Sequence, residues 1–281
     1  MRRLAYCAVT LAAGVAAFSF TARSQGPPAN SGKAANSGKG KGGAKGGNVG
    51  LYQRQPPTPS GPAPKLADGT PDLSGVWLGS GSNDSDISKG LKPGEAVVMK
   101  PWAADVVKNR KSKDDPEANC LPAGIPRGSP YPWRIAQTPG IYFIVYEGNI
   151  HSWRQIFMDG RKHPDQNELI PAWYGNSIGH WEGSTLVVDT VGFNDKFWFD
   201  YAGHPHTEQL HTIERYTRTD LGNMNIEVTI DDPGTYEKPF TTVGHARLMA
   251  NTELMEYICQ EDNFDLQHLS GPAQGPGGAT R

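Results

Sequence analysis

Residues 176–191 read NSIGHWEGSTLVVDTV, two runs rich in apolar and β-branched residues on either side of Gly183-Ser184. A two-residue loop that starts with glycine is the type II′ hairpin turn, whose twist matches that of the strands it joins. The spacing predicts strands over 176–182 and 185–191, with Glu182 opposite Thr185, His180 opposite Val187 and Ile178 opposite Asp189. Asp189 then falls diagonal to His180 on the same face, within reach of a long side chain.

The same pattern recurs on both sides of this hairpin. Strand-like runs occupy 73–79, 133–137, 141–147, 150–159, 210–219, 224–231, 240–248 and 253–260, and turn residues such as Glu147-Gly148-Asn149 and Asp220-Leu221-Gly222-Asn223 separate them. Glycine and proline make up about a fifth of the 281 residues, which excludes coiled coils and all-α folds. The expected architecture is all-β, a lipocalin-like antiparallel β-barrel of about ten strands. One short helix is predicted over 101–110, with Pro101 at its first turn and Trp102, Val106 and Val107 near one face, outside the sheet.

Alternation assigns the faces. In 224–231, Ile226, Val228 and Ile230 oppose Asn225, Glu227 and Thr229, the pattern of a half-buried strand. In 210–218 both faces are mixed, since Leu210, Thr212, Glu214 and Tyr216 oppose His211, Ile213, Arg215 and Thr217. Mixed faces predict a polar-lined interior with space for a guest, because charged groups inside must be paired.

The termini differ from this domain in composition. Arg2 and Arg3 precede an apolar run over 4–20, and Ala22-Arg23-Ser24 supplies small residues before Gln25, so 1–24 is read as a cleaved export signal. Cys7 lies inside the apolar run, where it cannot serve as a lipid-anchor cysteine. Residues 25–67 carry no acid and are rich in Gly, Pro and Lys, and they are expected to be a disordered basic linker. Nine of the 27 bases lie within residues 1–65, which leaves 18 bases against all 29 acids in the remainder. The barrel domain is placed at 68–269 and a flexible tail at 270–281. No apolar run beyond the leader is long enough to span a membrane as a helix. Aromatics are not interleaved with the bases of the linker, so nucleic acid is not an expected partner.

Removing the leader leaves Cys120 and Cys259, for which a disulfide is the expected state in a periplasmic or extracellular compartment. The competing reading is a catalytic thiol.

The run DLSGVW at 72–77 resembles the Gly-x-Trp element that opens the first strand of lipocalin-like (calycin) barrels, where the tryptophan plugs one end. DGTPDLSGVW, RQIFMDGRKHP, SIGHWEGSTLVVDTVGF, IERYTR and EYICQE together resemble a family of uncharacterised exported proteins of environmental bacteria. The resemblance spans roughly 68–263. It implies export and shared architecture and carries no catalytic role.

Candidate chemistry gathers between His163 and His211. His204-x-His206 with His211, and Glu208 as a carboxylate, offer a fallback divalent-metal site, although Pro205 makes the segment a turn and surface or capping roles compete. No cofactor is otherwise expected. Asp159-Gly160-Arg161 with His163 reads either as an anion clamp beside a general acid/base or as a turn in which Asp159 pairs with Arg161. His180 and Asp189 form a candidate dyad that would fix one imidazole tautomer, with a structural hydrogen bond as the alternative. Trp153, Trp173, Trp181 and Trp198 are candidate ligand platforms, with Arg154, Arg161 and Arg215 as charge stabilisers, and core packing is the competing role for the aromatics. No serine sits in a Gly-x-Ser-x-Gly elbow, and no phosphate- or dinucleotide-binding glycine pattern occurs. The expected function is acid/base turnover of a small aromatic or sugar-like compound inside the barrel, as a lyase, isomerase or hydrolase, with His163, His180, Asp189 and His211 carrying protons. The alternative is a small-molecule-binding protein without turnover.

Overall fold

A computed structural model of the chain describes residues 57–79, 82–128, 131–148, 150 and 152–261. The expected leader over 1–24, most of the basic linker and the tail over 270–281 lie outside the described residues.

Nine strands close into a barrel in chain order: β1 (Gly75–Gly79), β2 (Trp133–Thr138), β3 (Ile141–Tyr146), β4 (Trp153–Phe157), β5 (Asn176–Glu182), β6 (Thr185–Val191), β7 (His211–Arg218), β8 (Asn223–Asp231) and β9 (Phe240–Leu248). The ring is sealed by antiparallel pairing of β9 with β1. In a closed ring, strand direction must reverse an even number of times. Nine strands therefore cannot all be antiparallel, and the exception is the parallel pair β4–β5. The chain from β4 to β5 must cross the barrel from end to end, and residues 158–175 form that crossover.

The β5–β6 hairpin has the predicted register, with Glu182 opposite Thr185, His180 opposite Val187 and Ile178 opposite Asp189. Gly183 takes φ +60°, the left-handed value that the first turn position needs. Gly75 is equally constrained, at φ +126°, and a Cβ there would lie 2.4 Å from Leu248 Cδ1. The positive φ favours glycine at the head of the Gly-x-Trp element. Trp77 fills the adjacent end of the barrel, donating Nε1–H to Leu73 O at 2.9 Å beneath the Arg218 guanidinium, 4.9 Å from the ring.

The two ends are unlike. At one, the strands are joined by short turns at 139–140, 183–184 and 219–222. At the other, long segments over 82–128, 192–210 and 232–239 fold into a cap. It contains the helical turn α1 (Ser82–Ser85) and the predicted helix α2 (Pro101–Asn109), whose Trp102 donates Nε1–H to Gly234 O. Phe193, Phe197, Phe199, Tyr236 and Phe240 form the aromatic core under this cap.

The linker ends earlier than expected. Residues 57–67 lie against the β7–β8 turn, where Leu221 donates its N–H to Gly61 O at 2.9 Å and Pro59 O packs over Gly222. The expected strand over 253–260 is not formed. A closed barrel has no free edge for it to join. This stretch instead runs as a strap, with Met249 and Leu254 covering the outer face of β1 at Val76 and Leu78. It continues past Glu147, whose Oε2 accepts Met255 N–H, and ends in the Cys259–Cys120 disulfide.

Candidate functional site

Only two residue pairs hold the β4–β5 seam, Ile156 with Ser177 and Phe157 with Ile178. Towards the cap the two strands have no ladder, and a groove of about 540 Å³ lies there, with Trp153, Arg154, Trp173, Tyr174, Asn176 and Ser177 among its walls. Trp153 is 55% exposed and tilts against Phe143. Tyr174 stacks on Tyr146, with centroids 5.5 Å apart, and its hydroxyl hydrogen-bonds Ser152 Oγ at 2.6 Å.

Arg154 alternates with the outward Trp153 and Gln155, so β4 turns it inward, where it is almost completely buried. Its Nη2 donates to Ser177 Oγ at 2.8 Å and Thr190 Oγ1 at 3.1 Å, and its Nη1 lies 2.7 Å from Glu214 Oε2. Tyr216 donates its hydroxyl to the other Glu214 oxygen at 2.5 Å. Burial opposes the charge on Arg154, but the Glu214 carboxylate outweighs it and keeps the guanidinium protonated. Burial pushes the Tyr146 phenol up to about 12 and the Tyr174 and Tyr216 phenols upward as well, so all three remain neutral hydrogen-bonding groups.

The interior is thus charged, as the mixed faces of β7 indicated. A cavity of about 60 Å³ lies beside Trp133, Tyr146, Glu214 and Tyr216, with Ile125 and Pro126 among its walls. That volume holds a few water molecules and is far below the several hundred Å³ typical of small-molecule sites. The seam groove is large enough for such a ligand, and this cavity is not.

The outer wall carries the histidines. β6 and β7 point Asp189 and His211 outward, and the crossover lays His163 over the same wall. Asp189 Oδ1 meets His163 Nε2 at 3.1 Å and His211 Nε2 at 2.8 Å, while His163 Nδ1 meets Asn176 Oδ1 at 2.8 Å. Asn176 belongs to the groove wall, so this cluster borders the groove. Three of the four residues expected to carry protons meet here, but not as the predicted dyad. His180 turns to Glu182 at 3.3 Å, because Glu182 lies two residues along the same exposed face and Asp189 is occupied by the other two imidazoles.

Comparison with known protein families, curated proteins and solved structures finds no match for the chain.

The remaining candidates disperse. Arg161 is held by Asp159 through Nε and Nη2 and covers the Phe157 ring at 3.8 Å, which is the turn reading and not the anion clamp. Arg215 pairs with Glu182 at 2.7 Å on the exposed wall. Trp181 points inward and donates to the Tyr142 hydroxyl at 3.2 Å, and Trp198 is buried under Arg110. The fallback metal set of His204, His206 and His211 is not assembled, since Pro205 sends the first two rings to different neighbours. His206 packs between Phe197 and Phe199, and burial lowers its pKa to about 4. Glu208 is exposed. His204 Nδ1 bonds Asp200 Oδ2 at 2.6 Å, and donor atoms of Asp86, Asp200 and His204 lie within 4.8 Å of one another. Asp200 already accepts the N–H groups of Ile87, Gly203 and His204 as well as that imidazole, so its oxygens are saturated.

Glu214, Tyr146, Ser177 and Asn176 were not singled out as site residues by the sequence. For Glu214 a signal existed: a carboxylate alternating with Thr212 and Tyr216 on an inward face needs a buried cation, and Arg154 alternates in the same way on β4.

Proposed function

We propose that the protein binds a neutral, hydroxylated ring compound, a sugar or a phenol, in the groove at the β4–β5 seam. The observation that carries this reading is the combination of aromatic walls from Trp153, Trp173 and Tyr174 with a lining whose one charge, Arg154, is already matched by Glu214. Rings stack on such walls, and the side chains of Gln155, Asn176, Ser152 and Ser177 supply hydrogen bonds around them. A charged ligand would find no uncompensated partner in this lining. The apolar leader, the disulfide and the resemblance to exported lipocalin-like barrels support a site of action outside the cytoplasm. No helix among the described residues is long and apolar enough to cross a membrane.

Acid/base turnover of the bound ring is the second reading, favoured by Asp189 holding two imidazoles at the groove's edge. Titrating glycosides and phenols against tryptophan fluorescence tests both. Micromolar to millimolar binding of uncharged members is expected, weakened about 5- to 30-fold by Trp153→Ala, since loss of one stacking ring removes about 1–2 kcal/mol. Binding restricted to charged compounds, or unchanged in Trp153→Ala and Trp173→Ala, would overturn the groove. Recovery of the ligand unaltered after long incubation would remove the turnover reading alone.

A further inference from the structure

We infer that the Asp84 carboxyl is a proton latch for the cap: it is uncharged while the cap is closed, and loss of its proton at higher pH releases the 84–90 segment. The inference concerns the cap alone and is independent of what the groove binds. Asp84 ends in α1, and its Oδ2 is sealed from water with no hydrogen-bond partner among the described residues. A carboxylate buried in this way is costly, and a carboxylic acid much less so. The charged groups around it do not offset that cost. Glu117 and Asp200 act on it as negative neighbours, and Arg127 as the cation. Arg127 is already engaged: its Nη1 and Nη2 donate to the two Asp115 oxygens at 2.8 and 2.7 Å, and Nη2 lies 2.7 Å from Glu117 Oε2. Arg110 acts on Asp115 and Asp200 and donates to Gly203 O. On the same segment, Asp86 turns to Ser88 and Lys89. The Tyr201 phenol lies under the Arg127 guanidinium at 4.1 Å and stays neutral, pushed up chiefly by burial.

The latch grips through neighbouring backbone bonds. Asp84 O accepts the Tyr201 N–H at 2.7 Å, and three residues on, the fully buried Ile87 donates its N–H to Asp200 Oδ2 at 2.7 Å. Both bonds tie the 84–90 segment to 200–204. An ionised Asp84 meets like charge from Glu117 and Asp200, and repulsion then opposes both ties. Burial, reinforced by Glu117, holds the Asp84 carboxyl well above its ordinary 3.8. Once released, the carboxyl ionises at that ordinary value. The closed cap therefore loses stability as pH rises from there to the folded value, and the loss is complete above it.

The test follows amide hydrogen exchange in the full chain from about pH 5 to about pH 9, the range into which burial moves carboxyl groups, with rates corrected for intrinsic exchange. Protection of the Tyr201 and Ile87 amides should fall by up to about tenfold per pH unit, and by at least about tenfold overall. In Asp84→Asn, which keeps the shape of the acid without its charge, protection should stay level. In Glu117→Gln the fall should move to lower pH, because one negative neighbour no longer opposes ionisation. Infrared spectra of the native chain should show a buried carboxylic-acid C=O band at the acidic end of the range that fades as protection falls and is absent from Asp84→Asn. Native protection that is flat throughout, an equal fall in Asp84→Asn, or no acid band overturns the latch. So does a profile that shifts when the protein is stripped with chelator, since a bound cation would then stand where the proton is placed.

Discussion

Strands β6 and β7 carry two charged clusters back to back. On the inner face, Thr190 and Glu214 join Arg154 in a network closed to water. On the outer face, Asp189 gathers His163 and His211 where solvent reaches all three. The inner charges offset each other, and because burial makes an unmet charge costly, removing one partner is strongly destabilising. The outer cluster is reached by water, which screens its charges and lowers the cost of breaking any one contact.

The largest effect should come from breaking the inner pair. Glu214→Gln leaves a buried guanidinium short of its counter-charge and should lower unfolding free energy in urea by about 3–5 kcal/mol. The double variant Arg154→Met/Glu214→Leu should recover much of that loss. A single-variant loss below about 1 kcal/mol would show that the pair is not closed to water.

His206 sharpens the comparison, being buried without a charge partner. Its folded pKa, lowered to about 4 by burial, lies below the ordinary 6.5, so the neutral ring is the form the fold accepts. Its stabilising contribution is complete above pH 6.5 and is lost as pH falls towards 4, by about 3 kcal/mol in total. Urea midpoints across that interval should fall in the native chain and fall less in His206→Phe. Equal slopes in both proteins would mean that the ring is wetter than its packing between Phe197 and Phe199 indicates.

The smallest effect belongs to the outer wall. Asp189→Asn should change stability by no more than about 1 kcal/mol, since partly exposed charged contacts contribute little. A loss comparable to that of Glu214→Gln would erase the distinction between the two faces.

What could be read from the sequence was local. The β5–β6 register followed from Gly183-Ser184, the plugged barrel end from the resemblance of the Gly75-Val76-Trp77 run, and the disulfide from the two cysteines outside the apolar N-terminal run. The meeting of His163 with Asp189 was not legible, because it depends on a parallel seam that appears only when nine strands close. The small cavity beside Glu214 was hidden for a similar reason: Ile125 and Pro126 reach it from a segment with no strand pattern of its own. Alternation along 253–260 misled because it records amphipathic character, which a strap over β1 satisfies as well as a strand does.

The Cys120–Cys259 link encloses every strand from β2 to β9 within one covalent ring. A protease that cuts any single loop between those cysteines opens the ring without releasing a fragment. The nicked chain keeps its mass under non-reducing electrophoresis, and its neighbouring strands remain tethered for re-pairing.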